Sequence, residues 1–184
     1  MAIQRTQKKA GKSESLTIRL DPKMRFALEF VARLNGQTIT KVIERAVTEA
    51  ADRTKVDDGR NSYDAANWRT YWDVSEGVRA IKLAMDENTH PTFEEEEMLE
   101  FVRTHWRIFA QDQSLKYLRR ENIEIIWPIM PKILDIWRET KASPDRSKAA
   151  SIMQDALIKA GVSGTIWAIP EKSPPELDDD LPPF

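Results

Sequence analysis

Three polar side chains at alternate positions, Ser15, Thr17 and Arg19, are the residues of this chain best suited to reading a ligand. A guanidinium can give guanine two parallel hydrogen bonds, and hydroxyls can donate to or accept from several base edges. The set therefore suits direct contact with the bases of double-stranded DNA. Lys8, Lys9 and Lys12 precede it, together with Arg5 and with no acidic residue before Glu14. That run reads as a flexible basic arm over 1–12 that tracks phosphates. Thr38, Thr40 and Lys41 make a second group of phosphate contacts. A helix opening there would offer hydroxyls, an ammonium and backbone N–H groups to one anion.

Other reactive side chains make weaker combinations. The two histidines, His90 and His105, lie fifteen positions apart and share no metal-ligand spacing; His105 falls on the apolar face of its helix, as a core or interface histidine does. The carboxylates Glu94 to Glu97 open a helix, where negative charge complements the dipole. No nucleophile or basic partner accompanies them, so catalysis is not expected. The chain has no cysteine, which removes disulfides and thiolate metal sites and fits a reducing cytoplasm. Neither a metal nor a cofactor is expected.

The elements that would position the polar triad follow from the pattern around it. Ser15–Leu20 alternates polar and apolar residues as a half-buried strand does, with Leu16, Ile18 and Leu20 facing inward. Asp21-Pro22 opens a helix that buries Met24, Ala27, Leu28, Val31 and Leu34, and Asn35-Gly36 closes it. Gln37-Thr38-Ile39-Thr40 opens a second, burying Ile39, Val42, Ile43, Ala46, Val47 and Ala50. One strand and two short helices bury too little to fold alone, so the expected unit is an intertwined dimer with antiparallel strands.

In this order the residues over about 13–52 resemble the ribbon-helix-helix DNA-binding proteins of the Arc/MetJ type. The resemblance implies a mostly α chain whose two-stranded antiparallel ribbon enters the major groove. By position it makes Ser15, Thr17 and Arg19 the outward base-reading set.

Charge is divided along the chain. Residues 1–55 hold 12 Lys and Arg against 6 Asp and Glu, a net of +6, and the remainder holds 16 against 24, a net of −8. The ribbon-helix-helix unit is expected over 13–54, a polar boundary near 52–62, and a helical assembly or partner domain over 62–170. All six tryptophans lie beyond that boundary. Val74, Val78, Ile81 and Met85 form one stripe, and Thr92 with Glu95 a capping box. Behind the box, Met98, Phe101, Val102, Trp106 and Phe109 form the clearest apolar face. Further helices are expected at about 114–127, from Pro131 through Trp137, and at about 145–160 before Gly161. A short strand is expected at Thr165–Ile169. No long apolar run indicates a membrane span or a signal peptide, so a cytoplasmic protein is expected.

Residues 171–184 read as a disordered acidic, proline-rich tail. Asp178, Asp179, Asp180, Leu181, Pro183 and Phe184 resemble the acidic tip of bacterial single-stranded-DNA-binding proteins, with Pro182 as an extra residue. The resemblance implies a replication or repair partner whose apolar pocket takes the Phe184 ring and whose basic rim takes the aspartates. The functional expectation is a sequence-specific double-stranded-DNA-binding homodimer or higher oligomer, a transcriptional repressor. The alternatives are an accessory DNA-binding protein at a plasmid transfer origin (relaxosome) or replication region, and an antitoxin.

Overall fold

A computed structural model describes residues 17–57, 59, 65–140 and 147–162. They fall into two compact units, Met1–Val74 and Ser75–Phe184.

In the first unit α1 spans Pro22–Asn35 and α2 spans Ile39–Arg53. Asp21 caps α1, its carboxylate accepting from the Met24 amide at 2.8 Å, with Pro22 at the first helical position. Gly36 closes it at φ 59°, a left-handed conformation that favours glycine, and the Gln37 amide donates back to the Ala32 carbonyl at 2.9 Å. Thr38 caps α2, accepting from the Lys41 amide at 3.2 Å. The two helices pack on each other, and a short α3 (Trp68–Tyr71) packs against α2.

The expected ribbon is not found. Thr17–Leu20 has no regular structure and its side chains are exposed, and among the described residues there is no β-strand, only an isolated bridge between Ala110 and Leu118. Ser15 and Leu16 lie outside the described residues. Alternation alone does not make a strand, because a strand needs a ladder partner for its N–H and C=O groups, and no described segment pairs with this one. The intertwined two-stranded dimer inferred from it is withdrawn with it. The described architecture is mostly α. The burial expected of the helices is corrected too. Met24, Ala27, Leu34, Ile39, Ala46, Val47 and Ala50 are exposed, and burial is confined to Ala32 and Val42, with Leu28, Val31 and Ile43 half-buried. One helix–helix seam covers one stripe of each partner and leaves the rest of a broad apolar face open.

The second unit carries its own core. It comprises α4 (Glu76–Ala84), α5 (Phe93–Thr104), α6 (Trp106–Phe109), α7 (Arg120–Ile126), α8 (Met130–Thr140) and α9 (Ser147–Lys159). Thr92 and Glu95 form the expected capping box on α5. Phe101 lies at the centre, edge-on to Phe109 and Trp137 with ring centroids 6.2 and 5.6 Å away. Ile81, Val102, Ile108, Ile123, Ile126, Ile133, Met153 and Leu157 fill the space around it. α4 and α7 approach closely at Gly77, where a Cβ would lie 2.6 Å from Ile123 Cγ2. One buried polar contact braces the core, Asn122 Nδ2 donating to the Ile108 carbonyl at 2.7 Å; at its edge the exposed Arg138 pairs with the Glu97 carboxylate at 2.6 Å.

Three further expectations change here. Val74 stands outside the stripe and is exposed. The apolar face from Met98 to Phe109 is broken at His105 into α5 and α6. The helix expected from about 114 begins only at Arg120, because the Asp112 carboxylate accepts from the amide and hydroxyl of Ser114 and diverts the chain into a turn. The strand expected at 165–169 and the acidic tail lie outside the described residues.

Candidate nucleic-acid interface

The expected base-contact set is described in part. Thr17 and Arg19 are exposed in the irregular segment leading into α1, and Ser15 lies outside the described residues. The phosphate set divides in the same way. Lys8, Lys9 and Lys12 lie outside the described residues, whereas Thr38, Thr40 and Lys41 are brought together at the first turn of α2. The Thr38 hydroxyl oxygen is engaged with the helix itself, and the Lys41 ammonium pairs with Glu44 at 3.2 Å. Both side chains of that ion pair are mostly exposed, so the pair is weak and an approaching phosphate can compete for the ammonium. The turn carries no acidic residue, and it keeps free N–H groups and the positive end of the helix dipole.

The two helices of the first unit expose several cations. Lys23, Arg25 and Arg33 stand on α1, and Lys41, Arg45 and Arg53 on α2. Arg25 pairs with Glu29 at 3.0 Å and Arg45 with Glu49 at 3.8 Å, both one helical turn apart and exposed.

Two arrangements were missed in the sequence. Phe26 and Phe30 stack at 6.2 Å on the open side of α1, more than half exposed, in a spacing of four that marks a helical pair. Asp52, at the end of α2, gathers three donors: Trp68 Nε1 at 2.7 Å, Arg69 Nε at 2.9 Å and Arg69 Nη2 at 2.8 Å. These bonds, the Arg69 guanidinium first and the Trp68 indole second, hold the Asp52 carboxyl down at about 2. The clasp ties α3 to α2 across seventeen positions of chain, and no periodicity in the sequence announces it.

The remaining candidates stay apart. His105 is buried in the second unit and His90 is exposed, and no group of His, Asp and Glu among the described residues is arranged to hold a metal ion. Glu94, Glu95 and Glu96 fill the first turn of α5 as helix-dipole complements. Asp178, Asp179, Asp180, Leu181, Pro183 and Phe184 lie outside the described residues. Among the described residues no helix is long and apolar enough to cross a membrane. No protein-family model, curated protein or solved structure matches the chain.

Proposed function

We propose that this chain binds double-stranded DNA in a sequence-specific way as a homodimer and acts as a transcriptional repressor. The observation that carries the reading is the concentration of positive charge, net +6 over residues 1–55 against −8 over the rest, on the part of the chain least able to fold alone. The cations supply phosphate affinity that is independent of sequence. Arg19 and Thr17, exposed beside α1, supply groups able to tell one base pair from another.

The homodimer is supported by what α1 and α2 leave open. Met24, Phe26, Phe30 and Leu34 on one helix, and Ile39 and Val47 on the other, are all exposed, while each helix buries a single residue. A unit of this size with so small a core needs a partner surface. A second copy of the same faces is the simplest supply of one.

Selection of bound sequences from a random duplex pool by the full chain, followed by anisotropy titration, tests the reading. Arg19→Ala should weaken a selected site by about 5- to 150-fold, the equivalent of roughly 1–3 kcal/mol, and leave random DNA nearly unchanged. Absence of any enriched sequence, or affinity indifferent to salt, refutes it.

A second reading, an accessory protein at a plasmid transfer origin or replication region, is favoured by the run Asp178–Phe184. Aspartates beside Leu181 and Phe184 suit an apolar pocket with a basic rim on a replication or repair protein.

A further inference from the structure

His105 joins two helices and is buried where it does so. It is at once the C-cap of α5 and the N-cap of α6, at φ −107° and ψ 28°, and its side chain makes no cap hydrogen bond on α6. Its amide donates to the Phe101 carbonyl at 3.1 Å, and its own carbonyl accepts from the Ile108 amide at 2.9 Å. The residue is 7% exposed, and its imidazole is tilted against Phe101 at 4.6 Å, beside the cluster that Phe101 forms with Phe109 and Trp137.

The pose favours a neutral ring. Nδ1 is buried without a hydrogen-bond partner, which a lone pair tolerates better than an N–H would. Burial is what acts on the ring; no carboxylate or cation from α5, α6, α8 or another described element contributes. The charged residues nearest along the chain are both cations: Arg103, which is exposed, and Arg107, whose guanidinium lies 5.0 Å over the Trp106 ring. Neither can pair with an imidazolium.

We propose that His105 is an acid-sensitive latch at the α5–α6 corner: the neutral ring holds the corner closed, and protonation drives the ring out and releases α6 from the core. Release exposes Ile108 and Phe109, which are otherwise almost wholly buried. The inference concerns the second unit alone and does not rest on DNA binding.

Burial holds the imidazole at about 4, against 6.5 when it is free in water. The folded state therefore binds fewer protons than the unfolded one between those values. The stability His105 contributes is present above 6.5 and is lost as pH falls towards 4. From pH 7.5 to pH 5 the second unit's folding equilibrium constant should drop about thirtyfold through this residue.

The test is denaturant unfolding of the full chain at both pH values, followed by near-ultraviolet circular dichroism, for wild type, His105→Phe and His90→Gln. Wild type and His90→Gln should show the acid loss, and His105→Phe less than a third of it. Equal loss in all three overturns the latch. Imidazole carbon–proton spectra of the wild type provide a readout that does not depend on the variant folding. With the exposed His90 as reference, the His105 signal should keep its neutral position at pH 5.5, and native signals of α6 should be the first to disappear on further acidification. A His105 signal that titrates near 6.5 while the unit stays folded overturns the proposal.

Discussion

Gly77→Ala sets two opposed terms against each other at one atom. Gly77 is in the first turn of α4, so alanine should improve helix formation, by less than about 1 kcal/mol. The added methyl would lie 2.6 Å from Ile123 Cγ2 and 2.7 Å from both Cδ2 and Cε3 of Trp127. Carbon atoms in contact prefer about 3.5–4.0 Å, so three overlaps of roughly 1 Å arise together. Neither neighbour yields easily. Ile123 is fully buried and β-branched, with Cγ2 on its stiff stem, and Trp127 belongs to the turn that leads into α8. Overpacking of this kind costs about 1–3 kcal/mol, and with two stiff neighbours the upper part of that range applies. The net expectation is destabilisation by about 1–2 kcal/mol. Urea unfolding of the full chain measures it, and a double-mutant cycle with Ile123→Ala isolates the cause. In that background Cγ2 is absent, so the penalty should shrink by at least about 0.5 kcal/mol. Gly161, at φ 81° with open space around its Cβ position, is the control, because its alanine variant is strained by backbone alone and should ignore Ile123. A Gly77→Ala chain more stable than wild type, or a penalty unchanged by Ile123→Ala, refutes the close-approach argument.

Arg138→Ala should lower the second unit's stability, because it leaves the Glu97 carboxylate, whose side chain is only 9% exposed, without this cation, whereas Asp135→Ala, at an exposed partner of the same arginine, should change it little. Urea midpoints of the two variants compare them directly, and equal effects would deny the Arg138–Glu97 pair its role. Asp52→Asn should release α3 from α2 and shift Trp68 fluorescence at neutral pH; in wild type the same shift should appear only in strong acid. The folded Asp52 carboxyl is held below its ordinary value, so its contribution is complete above pH 3.8 and is lost as pH falls through about 2. A wild-type transition near pH 4 in that signal would contradict the clasp.

Local chemistry was the most legible part of this sequence. Asp21-Pro22, Asn35-Gly36, Thr38 and the Thr92–Glu95 box each act within four residues of themselves, and each occupies the cap its type prescribes. Readings that depended on partners elsewhere in the chain fared differently. Alternation over Ser15–Leu20 predicts a strand, yet a strand requires a ladder, and no described segment provides one. The helix expected at about 114–127 starts late, because Asp112 captures the Ser114 amide and Leu115 enters the core at φ 59° from a loop. The Asp52 clasp joins residues sixteen and seventeen positions apart through side chains alone, beyond the reach of any periodic rule. Of the candidate site, the helix start at Thr38–Lys41 was legible. Thr17 and Arg19 are exposed, but so are Ile18 and Leu20, so the alternation does not sort them. The Phe26–Phe30 stack is marked only by its spacing of four.

The two units answer similar apolar patterns in opposite ways, and core size decides which. In the second, several helices converge on Phe101, so a stripe left open by one neighbour is covered by another, and even the imidazole of His105 is drawn inside. In the first, α1 and α2 have one seam between them, and α3 is too short to cover a 14-residue helix. Phe26, Phe30 and Leu34 therefore stay in water at a cost that a second copy would remove. The same unit carries the positive charge, and like charges brought together in a dimer repel. A polyanion laid across both copies would offset that repulsion, so on the proposed reading DNA should stabilise the dimer and the dimer should stabilise binding to DNA. That reciprocity follows from placing a small core and a large charge on the same fifty residues.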